Sequence, residues 1–233
     1  MKKILFALLF FFTLKLSAQN LQVHYDFGKD REYITTTLEM FKPDEYGATF
    51  FFVDFDFNMT GNNSLSLAYW EIARYVNVYE KLAVTLQYND GLTSVPVANL
   101  GNIAVTLNQT FLAGLSYPID LGFVTLNTDV LYRSTYGSDS PDGQLTCSWI
   151  VPFLDGKITF SGFMDVWTED EAIRAGNSLL SDKKEVVFLT EPQIWYNPIN
   201  HLSIGTEIEI SNNFLPFQNE VKVMPTLALK WTF

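Results

Sequence analysis

The sequence predicts an all-β fold, a single antiparallel transmembrane β-barrel of about twelve strands with the N- and C-termini at the periplasmic end. Three observations carry this. Apolar and polar residues alternate with a period of two from Leu21 to Phe233. The links between alternating segments are short and long in turn. Charged residues fall in mid-segment, on the face opposite the apolar one.

Ahead of the first segment lies a different pattern. Met1-Lys2-Lys3 is a basic start, Ile4 to Leu16 is apolar apart from Thr13 and Lys15, and Ser17-Ala18 supplies small residues. This is the pattern of a secretory signal peptide over residues 1–18, leaving a barrel over residues 19–233. The apolar stretch is too short to span a membrane as a helix. Nothing after it reaches a run of about 18 apolar residues.

The segments fall near 21–28, 32–41, 47–58, 64–75, 80–90, 102–118, 121–134, 143–152, 156–167, 184–197, 200–212 and 219–233. In the third, Phe51, Val53, Phe55 and Phe57 oppose Phe50, Phe52, Asp54 and Asp56. In the seventh, Val124, Leu126, Val130 and Tyr132 oppose Thr125, Asn127, Asp129 and Arg133. In the ninth, Ile158, Phe160, Gly162, Met164 and Val166 oppose Thr159, Ser161, Phe163, Asp165 and Trp167. The eleventh sets Leu202, Ile204, Thr206, Ile208 and Ile210 against His201, Ser203, Gly205, Glu207 and Glu209. The twelfth places Val221, Val223, Pro225, Leu227, Leu229, Trp231 and Phe233 on one face. A strand points successive side chains to opposite sides, so each segment reads as one strand. A turn of helix fits only at 172–180, inside a link.

Short links are expected at 42–46, 77–79, 117–120, 153–155 and 197–200, several of them rich in turn-forming Pro, Asn, Asp or Gly. Long links are expected at 90–101, 135–142, 168–183 and 213–218. With twelve strands all the long ones fall at one end, and the short ones at the other with both termini. Aromatic residues make up 15% of the chain, with 20 Phe and 11 Tyr. Those near strand ends (Tyr69, Trp70, Tyr75, Tyr132, Tyr136, Trp149, Trp167, Trp195, Tyr196 and Trp231) fit interfacial girdles in contact with outer-membrane lipid.

Composition excludes several functions. There are 26 Asp+Glu against 15 Lys+Arg, a formal charge of −11, so no nucleic-acid polymer is an expected partner. One Cys, Cys147, forms no intramolecular disulfide, and two His leave little for a zinc site. Cys147 shares its face with Leu145, Trp149 and Val151 and reads as an apolar filler. No cofactor and no metal site are expected.

The last strand, ending in Phe233, resembles the assembly signal of bacterial outer-membrane barrels. The order of segments resembles the nucleoside-specific channel (Tsx-like) superfamily, and within it a branch known only as a domain of unknown function. Thr37-Leu38-Glu39-Met40-Phe41, Ala68-Tyr69-Trp70-Glu71-Ile72-Ala73-Arg74-Tyr75 and Ile150-Val151-Pro152-Phe153-Leu154-Asp155-Gly156 resemble that family's acidic strand, its Glu-Ile-Glu-Pro-Arg segment and its Phe-Val-Pro turn. Thr190-Glu191-Pro192-Gln193 and Ile210-Ser211-Asn212-Asn213 resemble the unknown-function branch. Ala73 stands where the family has its second Glu. The resemblance implies nucleosides as the solute.

Twelve strands about 4.8 Å apart and tilted about 40° give a backbone diameter near 24 Å, most of it taken up by side chains. What is left suits a small solute. The expected lumen residues are Glu39, Phe50, Phe52, Asp54, Asp56, Glu71, Asn127, Asp129, Arg133, Phe163, Asp165, Trp167, Glu191, Trp195, Glu207 and Glu209. Glu185, Lys222 and Lys230 share those faces. In one reading these groups pair with one another and simply fill the barrel. In the other, Phe50, Phe52, Phe163, Trp167 and Trp195 stack on a solute ring, and the carboxylates and Asn127 bind its hydroxyls. The acid excess favours neutral or cationic solutes. The expected function is a monomeric outer-membrane channel for a small polar solute. The runner-up is a barrel plugged by link 168–183, with a structural or binding role. A third reading, a barrel enzyme, would use Ser203, His201, Glu207 and Glu209. A hard-cation site at Glu39, Asp54 and Asp56 weighs less than hydrogen bonding to a neighbouring strand.

Overall fold

A segment with one apolar and one polar face must pair its backbone groups with neighbouring strands, whatever lies on either side of it. The structure, a computed structural model, describes residues 19–28, 31–57, 65–97, 101–171, 183–214 and 220–233. Residues 1–18 and 172–180, on which the signal-peptide and helical-turn expectations rest, lie outside these.

The chain runs through β1 (Gln19–Asp26), β2 (Ile34–Asp44), β3 (Gly47–Phe57), β4 (Leu65–Tyr79), β5 (Leu82–Val97), β6 (Gly101–Thr106) and β7 (Thr110–Asp120). It continues through β8 (Thr125–Thr135), β9 (Asp142–Phe153), β10 (Ile158–Asp170), β11 (Lys184–Thr190), β12 (Gln193–Ile199), β13 (Leu202–Asn212) and β14 (Lys222–Thr232). Every pairing is antiparallel. β14 pairs with β1, setting Leu21 opposite Trp231 and Val23 opposite Leu229. β1 pairs in turn with β2. The sheet therefore closes on itself, and among the described residues β6 pairs on one side only, with β5.

Fourteen strands make a twelve-strand barrel because two of the staves are interrupted. β6 and β7 both pair with β5. Across the gap between them, Leu107 N–H donates to Gly91 O (2.9 Å) and Tyr136 N–H to Gln109 O (2.9 Å). β11 and β12 both lie between β10 and β13. Their break falls at Glu191-Pro192, where proline has no N–H to give the ladder. The flanking groups still bond: Glu191 N–H to Phe163 O (3.1 Å) and Ile208 N–H to Pro192 O (3.0 Å).

The links at 45–46, 80–81, 121–124, 154–157 and 200–201 share one end with both termini, and the others, apart from the two breaks within staves, share the opposite end. Three details differ from expectation. The turn placed at 77–79 falls at 80–81, because β4 continues to Tyr79. The link placed at 90–101 shrinks to 98–100, because β5 and β6 continue as a paired hairpin as far as Val97 opposite Gly101. The turn placed at 117–120 falls at 121–124, where Gly122 takes a φ of +85° and its N–H bonds the Asp120 carboxylate at 2.8 Å.

The apolar faces point outward. Leu86 is 62% and Val130 64% exposed, and Leu115, Leu227 and Leu229 are also exposed. The opposite faces carry the buried polar residues, among them Gln22, His24, Asp26, Thr85, Asn89 and Asp129. Four of the residues assigned to interfacial girdles are corrected by this. Tyr69, Tyr75, Trp167 and Trp195 have inward register, and all four bond or stack on charged groups inside the barrel. Trp70, Tyr132, Tyr196 and Trp231 sit at outward positions. Cys147 has outward register and touches the Thr128 hydroxyl at 3.8 Å.

Candidate lumen site

The barrel interior divides into two polar clusters and an apolar patch. The first cluster is built by β1, β2, β3, β12 and β13. Thr35 and Thr37 on β2 donate to Asp56 (2.7 Å) and Asp54 (2.5 Å) on β3. Asn20 donates to Glu39 at 2.9 Å. Gln193 donates to Glu207, and Ser211 to Glu209 at 2.9 Å. Arg31, in the β1–β2 link, reaches Glu209 at 2.7 Å and Asp26 at 3.1 Å. Glu191, at the Pro192 break, lies within electrostatic reach of Glu207, Glu209 and Asp54. Asp54 and Asp56 thus hydrogen-bond the neighbouring strand.

Trp195 is fully buried. Its indole N–H donates to Gln193 (2.9 Å), the Lys230 ammonium lies 3.8 Å from its ring centre, and the His24 edge meets it at 6.1 Å. These contacts occupy its ring faces in this structure. Phe50 and Phe52, 5.9 Å apart, continue to Tyr69 at 6.0 Å as a half-buried aromatic row.

The second cluster spans β4, β5, β8, β9 and β10. Tyr69 and Asn89 both donate to Glu71, at 2.5 and 2.8 Å. Asp129 accepts from Tyr75 (3.0 Å) and Gln87 (3.1 Å), linking β8 to β4 through the interior. Arg133 donates to Gln144 at 2.8 Å, stands 3.8 Å from Glu169, and lies over Trp167 with 5.1 Å to the ring centre. Asp165 accepts from Thr146. Trp167 also packs with Val187, Leu189 and Phe163 in an apolar patch within the lumen, and meets the Phe214 edge at 6.0 Å. Asn127 is exposed, toward the short-link end.

Fifteen of the sixteen expected residues therefore lie in or beside these contacts, and Asn127 stands apart from them. Sequence reading missed Arg31, Asn89, Gln144 and the patch of Val187 and Leu189. The period-two register of β5, β9 and β11 carries the last four, but Arg31 sits in a link, where alternation gives no direction. The arrangement considered for an enzyme does not form. Ser203 donates to Asn197 (2.6 Å), while His201 bonds Thr232 O (2.8 Å) and stacks on Trp231 at 5.6 Å.

A closed twelve-strand antiparallel barrel, apolar outside and polar inside, is the architecture of a porin. Among solved structures, the NanC porin is similar at a TM-score of 0.54 and 9% identity, covering 93% of this chain and 100% of that one. The KdgM porin is similar at 0.51 and 8% identity, covering 92% and 98%. KdgM has also been solved in complex with disordered oligogalacturonate, and that structure matches at 0.50 and 7% identity, covering 92% and 98%. No curated protein matches the chain. A family model matches residues 18–233, and the chain belongs to that family, DUF5020, a domain of unknown function.

Proposed function

We propose that this protein is an outer-membrane channel for small polar solutes, neutral or cationic, with nucleosides the first candidates by the Tsx-like resemblance. The carrying observation is the distribution of polarity: apolar side chains cover the outside of the closed barrel, while hydrogen-bonded acids exceed bases inside it. An acid-lined interior repels anions, so a carboxylated sugar chain such as that bound by KdgM is poor cargo here. The same proposal includes export through a signal peptide over residues 1–18, a lipid-embedded monomer, and no enzymatic activity. Planar-bilayer recordings of the purified protein test it. Cation-selective current, reduced by adenosine, is the expected result, and absence of current from folded protein would sink the channel.

A second reading is a barrel whose lumen is sealed by side chains, with a structural or binding role. The bridge from Tyr75 to Asp129 and the complete burial of Trp195 and Val187 favour it. It expects folded protein that passes no ions.

A further inference from the structure

Several side-chain polar atoms are buried without a hydrogen-bond partner among the described residues, and four of them belong to one region of the lumen. They are Arg133 Nε, Trp167 Nε1, Asp165 Oδ1 and Asn89 Oδ1. Asp165 and Trp167 are neighbours on the inward face of β10, and Arg133 lies over the Trp167 ring. Asn89, on β5, is held by its bond to Glu71. Two of the four atoms are donors and two are acceptors. A buried polar group is normally bonded, so four unmet together mark an arrangement that something else completes.

Packing narrows this level of the barrel. Leu131 precedes Arg133 on the same face and is buried, and Trp167 is backed by Val187 and Leu189. Arg133 is a long side chain held by a hydrogen bond to Gln144, an ion pair to Glu169 at 3.8 Å and a stacking contact on Trp167. Glu71, Asp129, Asp165 and Glu169 lie on the inward faces of this half of the barrel. That charge disfavours an anion. A hydroxyl both donates and accepts, so a solute carrying several of them can meet unpaired donors and unpaired acceptors together.

We propose that this is the solute-binding constriction of the lumen, and that its ligand is an uncharged polyhydroxylated molecule of sugar-like chemistry. The solute displaces Arg133 from Trp167. Its hydroxyls then donate to Asp165 and Asn89 and accept from Arg133 and Trp167. The inference rests on the channel reading above, and its test separates the two.

The test uses full-length protein in planar bilayers with ribose as the neutral probe and galacturonate as its anionic counterpart. Wild type is expected to conduct and to be blocked by ribose but not galacturonate. Arg133→Ala should raise conductance severalfold. Trp167→Phe keeps a ring but removes the N–H, and should weaken ribose block about fivefold, the loss of roughly one hydrogen bond. Conducting channels in which neither substitution alters conductance or block overturn the proposal, as does block by galacturonate alone. If no protein conducts, the channel reading fails and thiol labelling judges the constriction. In a Cys147→Ser background, Leu131→Cys should resist a water-soluble thiol reagent and become reactive when Arg133→Ala is added. Equal labelling in the two overturns the site.

Discussion

Gly205 on β13 lies opposite Trp195 on β12. A Cβ placed there would come within 2.5 Å of the Trp195 ring and 2.3 Å of Ile194 O, so the missing side chain is what lets the indole lie flat on the wall. Gly205→Val is expected to lower folding stability by about 1–3 kcal/mol through overpacking. Gly143, where a Cβ meets only Leu131 O at 4.0 Å, is the control, and Gly143→Ala should change little. Urea titrations of both variants in lipid vesicles check this. Tyr75 makes a different kind of contact, a hydroxyl bond to Asp129 from three staves away. Tyr75→Phe should cost about 0.5–1.5 kcal/mol, because Asp129 keeps its bond from Gln87. A double-mutant cycle with Asp129→Asn should give a coupling energy of similar size. No coupling would show that the bridge contributes nothing to stability.

At the scale of the strand, the two faces set opposite tolerances. On β5, Leu86 points outward between Thr85 and Gln87, which point in. Leu86→Arg places a charge on the apolar exterior and should cost about 2–4 kcal/mol if that position lies near the bilayer midplane. Thr85→Ser, one residue away on the other face, should cost far less. Equal costs in lipid, measured from refolding titrations, would count against a membrane around β5. The break between β11 and β12 follows from composition: Pro192 cannot donate, and the wall stays continuous because Glu191 and Ile208 supply N–H groups on either side. At the long-link end, Lys184 forms ion pairs with both Asp142 (2.9 Å) and Asp170 (2.7 Å), joining β11, β9 and β10.

For the molecule as a whole, the interior acids determine what the proposed channel passes. The acids of the two clusters outnumber Arg31, Arg133 and Lys230 among the described residues. The predicted consequence is a reversal potential that favours K⁺ over Cl⁻ in a salt gradient. The preference should weaken in about 1 M salt, where the Debye length falls to about 3 Å. Anion selectivity at low salt would refute the electrostatic argument.

Alternation in Phe50 to Phe57, Leu202 to Ile210 and Val221 to Phe233 determined the strands and their facing, since a period of two cannot hide which residues share a side. The order of short and long links determined the strand count, because one misplaced strand would move every later link to the other end. The same alternation placed most of the lumen residues. It could not separate an aromatic residue at a strand end from one inside, as Tyr69, Tyr75, Trp167 and Trp195 show. Nor could it find Arg31, whose role comes from a link folding back onto Glu209. Only the tertiary structure brought Arg133, Trp167, Asp165 and Asn89 to one level of the lumen. Strand sequence fixes the side on which a residue lies, whereas its height and its neighbours through the barrel follow from the ladder register and from closure between β1 and β14.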